Sequence, residues 1–299
     1  MALHIFIVFS IFAAVMRTVT LLFALIGTAC LSLSCSIGDG RKPLAGGIRD
    51  DRMDVGATSG HQDYDTPDVG TYRGFTGLPA PVTHLPEQVL RRTGYVVSYN
   101  KDTRLPNWVA WHLTAEHTNG AAKRPSRAFH EDEEVPAPRA EDRDYYNSGY
   151  DRGHMCPAAD NKWSCDAMLE SFLFTNMCPQ NHSLNVGDWN EMENQCRRWA
   201  QQYGDIYIVC GPVLYKGKHK TIGRNKVVVP EAFFKVVLCL AGTPKAIGFI
   251  YKNVAGDRPK GDYVNTVDEV ERITGFDFFH DLPDDVEAAV EASCSLSDW

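Results

Sequence analysis

The sequence predicts one α+β domain over residues 86–299, with central antiparallel sheets and flanking helices. Three observations predict it: two short aromatic and β-branched runs near residues 95–113, an amphipathic stripe from Trp189 to Tyr203, and a closing series of strand-like runs before a late helix. The 299 residues are 44% hydrophobic and 23% charged, which excludes disorder throughout and allows a sizeable core.

Residues 1–35 stand apart from that domain. They hold one Lys or Arg, Arg17, no acid, and two apolar runs, Ile5 to Met16 and Val19 to Leu33, so they read as an export signal. Met16-Arg17 opens a stretch with a basic start, an apolar middle and a small-residue end, so translation can begin at Met1 or at Met16. Cys30 and Cys35 lie among small residues as in a lipoprotein cleavage box, and Cys35 is the candidate for a lipid anchor. A plain cleaved signal and an uncleaved anchor are the alternatives, since the apolar length approaches the roughly 20 residues that span a bilayer. The expected destination is export: secreted, periplasmic or held at an outer membrane. Seven cysteines follow Cys35, and in an exported protein that odd number suggests up to three disulfides and one free thiol. No CxxC pair exists, so zinc has little support.

Residues 36–85, rich in Gly, Asp, Thr and Pro without apolar periodicity, read as a poorly ordered linker. Tyr95 to Tyr99 and Trp108 to Leu113 then form an expected antiparallel pair around a polar turn, Asn100 to Asn107. Residues 115–148 read as a long surface excursion whose acidic runs, Glu131 to Glu134 and Glu141 to Asp144, are solvated. Trp189, Met192, Cys196, Trp199 and Tyr203 recur at spacings of 3, 4, 3 and 4, one face of a helix that Gly204 can stop. Strands are expected at Asp205 to Leu214, Lys226 to Val229, Phe233 to Leu240 and Ala246 to Tyr251, and a helix at Thr266 to Thr274 closed by Gly275.

The densest informative cluster is Asp151-Arg152-Gly153-His154, then Asn176-Met177-Cys178-Pro179-Gln180, then Asn185 with Trp189 four residues on and Glu193 eight residues on. With these blocks the chain resembles the DNA/RNA nonspecific endonucleases, the ββα-metal (His-Me finger) nucleases, a group with mitochondrial and secreted bacterial members. Gly211-Pro212, Val229-Pro230, Phe234-Lys235 and Thr274 to Phe279 extend the resemblance from about Tyr95 to Phe279. It implies a ββα finger running from a hairpin that ends near His154 to a helix that opens near Asn185. It also implies hydrolysis of DNA and RNA to 5′-phosphate products with Mg²⁺, Mn²⁺ being a substitute, and contacts to phosphate and sugar rather than to base edges. The oligomeric state stays open, a homodimer included.

The residue types suit that chemistry. A histidine titrates near 6.5 and so can take a proton at neutral pH, and the resemblance makes His154 the base that deprotonates the attacking water. Asn185 offers a neutral, hard amide oxygen to Mg²⁺, which takes few protein ligands; its alternative is a helix cap. Glu193 is offset from Asn185 by roughly 80° on a helix, so both can face one side, and it would bond water in the ion's shell. Arg152 can bond the phosphate, or else pair with Asp151 or Asp160. Arg127 and Arg197 match phosphate-contacting family positions, with a surface charge and a Glu193-Arg197 helix pair as equal alternatives. Asn176 is expected to fix the active-site loop by backbone hydrogen bonds. The formal charge is -8, and removing residues 1–34, with one Arg and no acid, makes it -9. Attraction to a polyanion must therefore come from a local cluster or the ion, not from the field of the whole protein.

Overall fold

The computed structural model describes residues 74–299. The expected signal, Cys35 and most of the expected linker lie outside the described residues. Seven strands form one wholly antiparallel sheet: β1 (Gln88–Arg91), β2 (Val96–Asn100), β3 (Leu105–Thr114), β6 (Asp205–Val213), β9 (Ala232–Cys239), β10 (Lys245–Lys252) and β11 (Val264–Asn265), in that spatial order. Two small antiparallel pairs stand apart from it, β4 (Asp151–His154) with β5 (Met177–Gln180) and β7 (Thr221–Ile222) with β8 (Val227–Val228). The α-helices of four residues or more among the described residues are α1 (Asp142–Tyr145), α2 (Cys165–Glu170), α3 (Asn190–Tyr203), α4 (Val267–Thr274) and α5 (Asp284–Glu291).

The central strands read as unbroken apolar runs because both faces of the sheet are covered. On β6, Ile206, Ile208 and Cys210 join one buried cluster and Tyr207, Val209 and Val213 the other. The first cluster includes Met192, Cys196 and Trp199 from the apolar stripe of α3, together with Met155 and Met177 beside the small β4–β5 pair. The second takes Val267 and Val270 of α4, Val290 of α5 and the Phe276, Phe278 and Phe279 turn. Gly204, at φ 96°, ends α3, and Gly275, at φ 75°, ends α4 in the left-handed region where a side chain would be strained.

Four details depart from the sequence reading. β3 begins at Leu105, inside the expected turn, because buried Asn107 is satisfied there by Ser98 Oγ, Asn100 Nδ2 and the Pro86 carbonyl. Within the acidic runs, Asp132 and Asp144 are buried rather than solvated: Asp132 pairs with Arg92 at 2.6 Å and accepts from Thr175, and Asp144 accepts from Asn225. Phe75, Leu78 and Val82, from the segment read as linker, pack against the second cluster. All seven cysteines from Cys156 to Cys294 are unpaired, five of them buried, so the expected disulfides are absent among the described residues.

Candidate active site

The β4–β5 pair holds the first functional block. Gly153 lies across from Cys178, and a Cβ at Gly153 would fall 2.6 Å from the Cβ of Gln180, so the tight crossing requires glycine. His154 ends β4 opposite Met177, and Trp189 Nε1 donates to its carbonyl at 3.2 Å. Asn176, fully buried, binds the chain just beyond it. Its Oδ1 accepts from Cys156 N at 2.9 Å, its Nδ2 donates to the carbonyls of Cys156 and Ser171, both at 2.8 Å, and its own carbonyl accepts from Met155 N.

Asn185 does not sit on a continuous helix with Glu193. Residues Asn185–Trp189 form a wide turn kinked at Gly187 (φ -100°, ψ -112°), and regular α3 begins only at Asn190. Nor does the Asn185 side chain cap a helix N-terminus: Asn181 caps the one-turn helix His182–Leu184 by accepting from Leu184 N, and α3 has no side-chain cap. Asn185 Nδ2 donates instead to Asp151 Oδ2 at 2.9 Å, an oxygen that His182 Nδ1 also meets at 2.8 Å. With the amide nitrogen so tied, Oδ1 is the atom left for a ligand. A hard, neutral oxygen with a carboxylate nearby suits a small divalent cation.

His154, Asn185, Glu193 and Arg197 line one cavity of about 690 Å³. Around them stand Lys123, Arg124 and Lys162, three cations that the sequence reading passed over, together with Asn190 and Phe172. His154 lies edge-on to Phe172 at 4.9 Å, and its Nε2 is buried without a partner. Burial, then the charge of Arg124, pushes its imidazole down to about 3. Burial pushes the carboxyl of Glu193 up to about 7, against the opposing charges of Lys235 and Arg197. Arg197 is held in place by Asp160 at 2.7 Å and Asn194 at 2.8 Å. Glu191, two residues before Glu193, is exposed and outside the cavity lining.

Two expected phosphate contacts are not brought in. Arg152 donates to Asp142 at 2.7 Å and lies over Phe129 at 5.2 Å, the ring that tilts against His154, and it does not line the cavity. Arg127 is exposed at φ 56° and does not line the cavity. Arg124, over Phe172 at 4.9 Å and Phe129 at 5.1 Å, stands where Arg127 was expected. Among the described residues a group of three acids, Asp268, Glu271 and Glu291, also converges within 4.8 Å, on α4 and α5 and outside this cavity.

Known nucleases are similar to this chain in sequence, and one solved structure is similar in fold. Nuclease EXOG, mitochondrial, of Xenopus laevis is 35% identical over 64% of this chain and 58% of its own length, so the chain spans less than two thirds of that relative. Endonuclease G, mitochondrial, of Bos taurus is 34% identical over 64% of the chain and 69% of its own, and the mitochondrial nuclease of Saccharomyces cerevisiae is 31% identical over 74% and 73%. The solved structure described as "Crystal structure of the EndoG/EndoGI complex: Mechanism of EndoG inhibition" superposes with a TM-score of 0.63 and 31% identity, over 66% of this chain and 88% of that one. These relatives correct the expectation of an exported, secreted or lipid-anchored protein, because they are named as mitochondrial. The family model described as DNA/RNA non-specific endonuclease matches residues 80–285, the span that carries both the sheet and the cavity, and the chain therefore belongs to that family.

Proposed function

We propose that the chain is an endonuclease that hydrolyses phosphodiester bonds of DNA and RNA with little sequence preference, using Mg²⁺, with Mn²⁺ as a substitute. The observation that carries the reading is the convergence of His154, Asn185, Glu193 and Arg197 on one cavity in a chain of this family. His154 Nε2 is buried, which leaves Nδ1 to take the proton of a water attacking phosphorus in line; the P–O3′ bond breaks and the departing 3′-oxygen takes its proton from water in the cavity. With its pKa pushed down, the ring is neutral at working pH and ready to accept. A bound phosphodiester supplies the negative charge that stabilises the imidazolium once formed. Asn185 would hold the cation through Oδ1, with Asp151 fixing the amide. When bound, the cation spreads the charge that builds on the phosphate oxygens.

Glu193 orients water on its side of the cavity by accepting hydrogen bonds. Arg197, Arg124, Lys123 and Lys162 face the phosphates, whereas Arg152 steadies Phe129 against His154. Contacts of this kind reach the backbone of the nucleic acid and leave its bases unread, and the products carry 5′-phosphates. The mitochondrial names of the relatives support a mitochondrial location, which imaging of the tagged full chain tests.

The decisive experiment incubates the purified full chain and its Asn185→Ala variant with supercoiled plasmid and with RNA, in Mg²⁺, Mn²⁺ or EDTA. Nicking without a preferred site is expected with either cation and none with EDTA, and Asn185→Ala should weaken cation binding and cleavage together. Intact substrate under every condition rejects the reading.

A further inference from the structure

β9 sends Phe233, Lys235, Val237 and Cys239 to the site-facing side of the sheet, so a lysine stands where the pattern calls for an apolar residue. Lys235 is 0% exposed and its Nζ has no hydrogen-bond partner among the described residues. It lies instead against two indole faces, 4.4 Å from the centre of Trp189 and 5.0 Å from that of Trp111. Each indole reaches one half of the cavity wall with its N–H. Trp189 Nε1 donates to the His154 carbonyl at 3.2 Å, and Trp111 Nε1 donates to Asp160 Oδ2 at 3.1 Å, the carboxylate that holds Arg197.

Burying an ammonium is costly, and replacing a buried charge by an apolar side chain is often neutral for stability; here Cys210, Cys196, Glu193 and Asp160 outweigh the desolvation and keep Lys235 charged. The charge has a use only if something nearby needs it. Two carboxyl groups do: burial raises both Asp160 and Glu193, and Lys235 opposes the rise in each. The charged groups that act on Glu193 are Lys235 from β9, Asp160 from the Ala158–Asp160 turn and Arg197 from its own helix.

We propose that Lys235 is a positioning residue of this site. Clamped between Trp111 and Trp189, it sets the separation of the His154 strand from the Asp160–Arg197 pair and balances the acidic groups beneath the cavity, without touching substrate. The inference rests on the nuclease reading of the cavity.

The test compares Lys235→Met and Lys235→Arg with the natural full chain. Three quantities are read: the thermal midpoint, kcat and KM on duplex DNA with Mg²⁺, and the NMR resonance of the His154 imidazole in EDTA. Lys235→Met is expected to keep its thermal transition, to lose about 10²-fold in kcat with KM within about twofold, and to shift the His154 resonance. Lys235→Arg, which retains the charge, should recover part of kcat. A folded Lys235→Met that turns over normally with an unmoved His154 resonance overturns the proposal. Loss of the thermal transition in Lys235→Met also overturns it, because the lysine would then serve folding. If the natural protein cuts no nucleic acid, the nuclease reading fails, and the resonance in EDTA still decides whether Lys235 positions His154.

Discussion

At the scale of single residues, the cavity sets two groups against their ordinary chemistry. His154 is neutral because burial and Arg124 push it down to about 3, and removing its ring removes the proposed base. His154→Ala is expected to lower plasmid cleavage by roughly 10²–10⁴ while leaving the thermal midpoint near that of the natural protein. Near-normal cleavage by the folded variant would place the base elsewhere. Glu193 is pushed up to about 7 from an ordinary 4.5, and the sign of its effect on stability follows. Its contribution is fully present below about pH 4.5 and is lost as pH rises through about 7, because the fold must then hold a half-buried, poorly solvated carboxylate. Glu193→Gln is therefore expected to raise the thermal midpoint in EDTA more at pH 8 than at pH 5, and to lower activity. An equal effect at both pH values would contradict the assignment. His154, Asn185 and Glu193 are legible in the sequence because their motif blocks stand in register. The place of Arg124 in the cavity lining, with Arg127 outside it, is not, since no hydrophobic period or motif block covers that loop.

Elements were legible wherever a hydrophobic period ran long enough to be counted. The stripe of α3 and the runs of β6, β9 and β10 match their expected positions within a residue or two. The strands that carry the chemistry are four residues each, DRGH and MCPQ, with no alternation to reveal them. What holds them is side-chain bonding that sequence spacing cannot display. Asn176 closes the chain after β4 with three side-chain hydrogen bonds to buried backbone. Asn176→Ala would leave those groups unpaired, at about 1–3 kcal/mol for each one stranded. Urea unfolding should show a loss of about 3 kcal/mol. A loss under about 1 kcal/mol would mean that water replaces the amide. The kink at Gly187 was equally hidden, and it is the reason Asn185 reaches the cavity from a turn rather than from the face of a helix.

The whole molecule carries a formal charge of -8, yet four cations, Lys123, Arg124, Lys162 and Arg197, line its cavity. Duplex DNA bound by the His154→Ala protein should therefore show a log-log salt slope no steeper than about -4, at roughly -0.9 per phosphate contact. A markedly steeper slope would reveal a longer basic groove. The two-layer covering of the sheet was legible as a fold class, but not the route the chain takes through it. β3 and β6 are sheet neighbours, with Thr114 paired to Asp205, and every cavity-lining residue from Ala122 to Arg197 belongs to the chain between them. Joining two strands across so long an interval costs only slightly more entropy than joining them across a shorter one, but it has to happen before the contacts that reward it. The reactive centre is thus a cassette spliced between two adjacent staves of an already closed wall. Amide exchange should find it opening as one unit, β4 and β5 together, while β3, β6 and β9 stay protected; protection of β4 and β5 equal to that of β6 would contradict this.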